Sequence, residues 1–279
     1  MRPPRSLAVT AFLAAVLVAC TGNSVSLGTT PSAAQGTHTE APTIELQVSG
    51  AASLKAALDK AKAAYEAANP GTHITISTDS SAALETQIEQ GAPADVFLSA
   101  DTANPKKLVD GGFASGDAVV FATNKLTIIV PTGNPAGINA PADLARPGVR
   151  IIAAGDEVPI TRYATKLIAN LAAKSADATA FQAACKTNTV TRVENVKAIV
   201  AQIELGQGDA GIVYLTDASA STKVQTIEVP ADVNAPATYA GVVVEASANA
   251  AAAQAFLRWF AGPDGRAILA TLGFLPPGP

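Results

Sequence analysis

The chain has 279 residues, with 19 basic and 23 acidic side chains and a formal net charge of −4. Such a balance argues against a nucleic-acid partner and against a polybasic membrane surface. Two histidines and two cysteines, widely spaced, leave nothing from which to build a clustered metal site or a disulfide framework.

The first segment, "MRPPRSLAVTAFLAAVLVAC", carries Arg2 and Arg5, then an apolar run from Leu7 to Ala19, then Cys20. The run is too short for a stop-transfer helix and its flanks match an export signal. "LVAC" resembles the lipobox of bacterial lipoproteins, which implies a signal peptide over 1–19, cleavage, and lipid attachment at Cys20. A plain signal peptide with an incidental cysteine is the alternative. More than one acyl chain is needed for stable anchoring. Cleavage would leave 17 basic against 23 acidic residues, a net of −6. Residues 20–42 are rich in Ser, Thr, Gly and Pro without an apolar period, so they read as a flexible tether spanning about 25 Å. The exported protein is then expected at the outer face of the cell membrane. With Cys20 lipidated, Cys185 stands alone and reads as a small core residue.

From Thr43 the pattern alternates. "TIELQV" has period two and predicts a strand. "SLKAALDKAKAAYEAANPG" places Leu54, Leu58, Ala61 and Tyr65 on one helical face and stops at Asn69-Pro70-Gly71. Then come a strand ("HITIS"), a helix over 82–90, a strand ("DVFL") and a short helix in "TANPKKLVDGG". "KLTIIVPTGN" and "VRIIAAG" predict strands, followed by helices near 160–173 and 176–185. "TVTRV" (strand), "ENVKAIVAQIELGQG" (helix), "AGIVY", "KVQTIEV" and "YAGVVVEA" (strands) follow, and two helices broken at Gly262-Pro263 close the chain. Alternating strands and helices predict α/β sheets covered on both faces. Ligands of such sheets bind beyond the strands' carboxyl ends, where the next helices begin.

Four strand-to-helix turns therefore hold the candidate site residues. Ser53 follows small residues, Ser80 and Ser81 open the second helix, Pro159-Ile160-Thr161-Arg162 open a third, and Asn195-Val196 a fourth. Each offers free backbone N–H groups, often with a hydroxyl, at the positive end of a helix dipole. Any single serine there reads first as a cap; four such turns point to an anion.

"AASL", "QIEQGAPADVFLSAD", "GDEVP", "ENV" and "GIVYLTDA", in this order, resemble the molybdate-binding proteins of bacterial ABC transporters over essentially all of 43–279. The resemblance implies a two-lobed periplasmic binding protein fold of type II. Each lobe would be a mixed sheet flanked by helices, joined by two hinge crossings and closing over a tetrahedral oxyanion. It implies hydroxyl ligands at Ser53 and Ser81, backbone amides at Ile160 and Val196, and the phenol of Tyr214, with Ser80 and Thr161 as additional candidates. It also implies an ABC permease and its ATPase as partners and a monomeric protein. The ligand would be molybdate or tungstate, with no cofactor and no free metal cation. Lobe I is expected at 43–122 and 238–279 and lobe II at 123–237, with crossings in "FATNKLTIIV" and "NAPATYAGVVV". Two features depart from the pattern. Ile160-Thr161 stands where the family usually has Ala-Gly, and Asp79 replaces a small residue ahead of the serines. Asp79 is expected to turn outward and cap locally.

Hydrogen bonds to a charged group net about 1.5–3 kcal/mol each, so five supply roughly 7–15 kcal/mol. Micromolar to nanomolar binding needs about 8–12 kcal/mol, so no salt bridge is required. Arg162 and Arg192 lie near two of the turns and are expected to be solvated helix-face residues, a direct contact being the alternative. An all-donor site disfavours protonated phosphates, whose hydrogen would find no acceptor. Two readings keep the same pocket: a protein for sulfate or another small oxyanion, and a lipid-anchored oxyanion sensor. An enzyme is disfavoured, because a serine nucleophile needs a base and only His38, in the tether, and His73, at a strand start, exist. No Gly-x-Ser-x-Gly elbow is present.

Overall fold

A computed structural model describes residues 43–278. The expected signal peptide at 1–19, lipid site at Cys20 and tether at 20–42 lie outside the described residues.

The first strand, β1 (Ile44–Ala51), turns Leu46 and Val48 inward and continues through a 3-10 turn (Ala52–Leu54) into α1 (Lys55–Ala68). The helix buries Ala57, Leu58, Ala61 and Tyr65, the 3.6-residue stripe legible in the sequence. It ends where Asn69 N–H donates to the Tyr65 carbonyl and Gly71 adopts φ 91°, a conformation that favours glycine. Next come β2 (Thr72–Asp79), α2 (Ser81–Glu89), β3 (Val96–Ser99) and α3 (Ala103–Asp110). The long β4 (Ala114–Asn124) was not expected as a strand. Its apolar residues are interrupted by Gly116 and Asp117, and two irregularities in its pairing break the period that would have betrayed it.

After a single residue, Lys125, the chain enters a second sheet with β5 (Leu126–Pro131). There it forms β6 (Ile151–Ala154), α4 (Pro159–Ala172), α5 (Ala178–Asn188), β7 (Thr189–Val193) and α6 (Val196–Glu204). Then follow β8 (Ala210–Tyr214), the short α7 (Leu215–Ser219) and β9 (Val224–Ile227). The chain returns to the first sheet as β10 (Ala237–Val244) and ends in α8 (Ala250–Ala261) and α9 (Pro263–Thr271).

The first sheet has the order β2-β1-β3-β10-β4 and the second β7-β6-β8-β5-β9. Both are mixed: β1 runs parallel to β2 and β3 while β10 is antiparallel to β3 and β4, and β6 runs parallel to β7 and β8 while β5 is antiparallel to β8 and β9. Helices flank both, giving a two-lobed α/β molecule. The two passages between sheets are stitched together by Asn234, whose carboxamide accepts from Leu126 N–H at 3.1 Å and donates to the Leu126 carbonyl at 2.9 Å. One apolar core runs through both lobes, and a smaller one (Leu84, Ile88, Phe97, Leu108, Val242) seats α2 and α3 on the outer face of the first sheet. Cys185 belongs to the core, and burial pushes its thiol up to about 11. Among the described residues no helix is long and apolar enough to cross a membrane.

Candidate functional site

The carboxyl ends of β1, β2 and β3 face those of β6, β7 and β8 across a cleft. Ser53 stands at the end of β1, with 6 % of its surface exposed, and Ser80 and Ser81 at the end of β2. From the other lobe, Ile160 lies in the first turn of α4, Val196 is the first residue of α6, and Tyr214 is the last of β8. Together with Asn195 these residues line a narrow cavity whose enclosed space is about 10 Å³. That is about the room of one water-sized sphere, so the space suits only a small ligand. No Lys, Arg, Asp or Glu lines it.

The two serines divide their work. Ser80 caps α2, its hydroxyl accepting from Ala83 N–H at 3.2 Å. Ser81 is the first helical residue, and its hydroxyl accepts from Ala100 N–H at 3.0 Å. With that lone pair filled from behind, the Ser81 hydrogen remains to be donated. In the opposite lobe Pro159 opens α4, where its missing N–H costs nothing, and Asn195 caps α6 by accepting from Ala198 N–H at 3.1 Å. The N–H groups of Ile160 and Val196 sit in first turns, where no acceptor exists within the helix.

Tyr214 is 1 % exposed and its phenol oxygen has no hydrogen-bond partner among the described residues. Burial, with Tyr239 and Tyr163 next to it, pushes its pKa well up, so the group is a neutral donor. An unpaired buried hydroxyl costs about 1–3 kcal/mol, which a ligand accepting its hydrogen would offset.

The charged neighbours Asp79, Arg162 and Arg192 are each paired within the protein. Asp79 accepts from Ser80 N–H at 2.7 Å, the expected local cap, but it does not turn outward: the same oxygen accepts from Asn195 Nδ2 across the cleft at 3.4 Å. Arg162 pairs at 3.1 Å with Asp101 of the opposite lobe, and Arg192 pairs at 2.9 Å with Asp156. Neither is a merely solvated helix-face residue, and neither lines the cavity. Thr161 turns away: its hydroxyl donates to the Ala154 carbonyl at 3.0 Å, and the residue lines a second cavity of about 70 Å³ walled largely by isoleucines of the second lobe. Its polar side chains, Thr161, Thr165, Thr189 and Arg192, donate to backbone carbonyls. No three His, Cys, Asp or Glu residues lie together as metal ligands among the described residues.

Sequence reasoning missed the partners that orient the donors: Ala100 behind Ser81, and Tyr239, whose phenol is 3.1 Å from Ser53 Oγ. Ala100 carries no side-chain signal. Tyr239 does, since the chain has only four tyrosines and this one falls on a strand that the apolar pattern already marked.

Two mixed sheets with a donor-lined, uncharged cleft between them define a solute-binding protein of the two-lobed type. Residues 46–275 match the family described as bacterial extracellular solute-binding protein. The chain is 34 % identical over 270 residues to the molybdate-binding protein ModA of Mycobacterium tuberculosis, covering 96 % of each chain. Among solved structures it is similar to the periplasmic molybdate-binding protein of Azotobacter vinelandii, with a TM-score of 0.70, 26 % identity and coverage of 84 % and 100 % of the two chains. It also superposes on the sulfate-binding protein SubI of M. tuberculosis with a TM-score of 0.74, at 22 % identity and coverage of 84 % and 87 %, which is a likeness of fold. The chain belongs to the bacterial extracellular solute-binding proteins and, within them, to the ModA type of substrate-binding protein.

Proposed function

We propose that the protein binds molybdate, and tungstate also, in the cleft between its lobes and delivers it to an ABC permease driven by its ATPase. Ser53 and Ser81 of lobe I and the Ile160 amide, Val196 amide and Tyr214 phenol of lobe II donate to the oxyanion. Ser80 caps α2 and Thr161 turns away, so neither is needed as a donor. Lobe I comprises 43–124 and 237–279 and lobe II 125–236, one or two residues off the expected bounds because Thr123, Asn124 and Ala237 pair within the first sheet, and the passages near Lys125 and Asn234 are the hinge. The protein acts as a monomer, carries no catalytic activity, and is held at the outer face of the membrane by lipid on Cys20.

The observation that carries this reading is the buried, unpartnered phenol of Tyr214 in a cavity lined by hydroxyls and helix starts and by no charged side chain. Such a lining fits an anion that is fully deprotonated and needs only donors. Calorimetry on the fragment beginning at Thr43 tests it with molybdate, tungstate, sulfate and phosphate. Molybdate and tungstate are expected to bind at micromolar affinity or better and phosphate to give no heat. Tight sulfate binding without molybdate heat would replace the ligand.

A further inference from the structure

A serine hydroxyl is an ambiguous partner for an anion: it carries one hydrogen, which attracts the anion, and two lone pairs, which repel it. Ser81 resolves the ambiguity through the backbone, since Ala100 N–H fills a lone pair from behind. Ser53 has a side chain in that position. Tyr239 Oη lies 3.1 Å from Ser53 Oγ, and one hydrogen is shared between the two oxygens.

Which oxygen donates follows from chemistry. A phenol is the stronger donor and the weaker acceptor, because its lone pair is delocalised into the ring. The Asn124 carboxamide lies beside the Tyr239 hydroxyl, and its nitrogen donates to Thr216 Oγ1 at 2.8 Å. Tyr239 cannot turn aside. It is fully buried on β10, between the two neighbouring strands β3 and β4, and its ring meets Phe121, Tyr214 and Phe274 at centroid distances of 6.1, 5.6 and 5.4 Å. It does not line the cavity.

We propose that Tyr239 is a positioning residue of the oxyanion site: it donates to Ser53 Oγ and thereby leaves the Ser53 hydrogen aimed at the ligand. The proposal rests on the reading of Ser53 as a ligand donor. It adds a source of selectivity, because a serine whose hydrogen is aimed at the ligand does not turn a lone pair toward an anion that carries a proton. A polarised chain of this kind also strengthens each bond in it.

A double-mutant cycle read by molybdate titration tests it. Tyr239→Phe is expected to weaken molybdate about tenfold in the natural chain and by less than about twofold in the Ser53→Ala background. The ratio of molybdate to hydrogen phosphate affinity should narrow in Tyr239→Phe alone. A cage role without donor function would cost the same factor in both backgrounds, and that result overturns the proposal. An unchanged affinity in Ser53→Ala would instead overturn the reading of the site beneath it. Replacing Tyr239 by 3-fluorotyrosine keeps the shape and makes a better donor and poorer acceptor. Molybdate should then bind more tightly, and weaker binding overturns the proposal even if the phenylalanine variant does not fold.

Discussion

Tyr214 is the residue at which folding and binding pull in opposite directions. Its ring is well packed against Tyr163 and Tyr239, while its hydroxyl is buried without a partner. Removing the oxygen alone separates the two roles. Tyr214→Phe is expected to raise unfolding stability without ligand by about 1 kcal/mol and to weaken molybdate by about 10- to 100-fold. Urea midpoints with and without molybdate read both numbers. A loss of stability in the ligand-free protein would make the phenol structural and remove it from the site. The serine doublet shows the same logic in milder form. Its two hydroxyls look alike in the sequence, yet one residue of difference along the helix start makes Ser80 a cap and turns Ser81 onto Ala100.

At the scale of elements, what could be read in advance is what repeats. The stripe of α1, the alternation of β1 and the Asn195 cap of α6 are local patterns with a local cause, and each lies where it was expected. The strand β4 was invisible because its partner, β10, lies more than a hundred residues away and supplies the pairing that its own pattern lacks. The donor positions of the site were likewise legible as helix starts. The groups behind them were not, since Ala100 and Tyr239 act through contacts that only the folded chain creates.

Helix α2 carries a further feature that only folding reveals. One turn beyond Ser81, Glu85 is buried against Lys107 of α3 at 3.3 Å. Burial, reinforced by Glu89, raises its pKa, and Lys107 offsets this only in part. An acid whose pKa rises on folding binds its proton more tightly in the native state. Its contribution to stability is therefore present at low pH and is lost as pH rises from the ordinary glutamate value through the raised one. Glu85→Gln is expected to abolish that decline and to leave the protein more stable than its parent at neutral pH. Denaturant midpoints between about pH 4 and 8 measure it. A variant that tracked the parent at every pH would show that Lys107 fully compensates the carboxylate.

Across the whole molecule, the cleft is spanned on both flanks of the cavity. Asp79 meets Asn195 on one side, and Asp101 meets Arg162 on the other. Asp101 is nearly fully buried and is held by Ser99 Oγ at 2.9 Å and Asn104 N–H at 3.0 Å, so it presents a fixed charge to the opposite lobe. Both bridges tie a ligand-bearing helix start of the second lobe to a residue adjoining Ser80 or Ala100 in the first. Closing the lobes thus assembles the donor set and the bridges together, and a ligand touching both lobes draws the population toward that state by its differential affinity. Arg162 is half-exposed, so its pair is worth little by itself, about two- to fivefold in the lifetime of the closed form. Arg162→Gln and Asp101→Asn are expected to speed molybdate release by similar factors in stopped-flow displacement, although they change the net charge in opposite directions. That equality distinguishes a bridge from a field, because a purely long-range effect on a dianion would slow release in the aspartate variant and speed it in the arginine variant. The difference from the parent should also shrink as ionic strength rises from about 0.01 to 1 M, where screening shortens to about 3 Å.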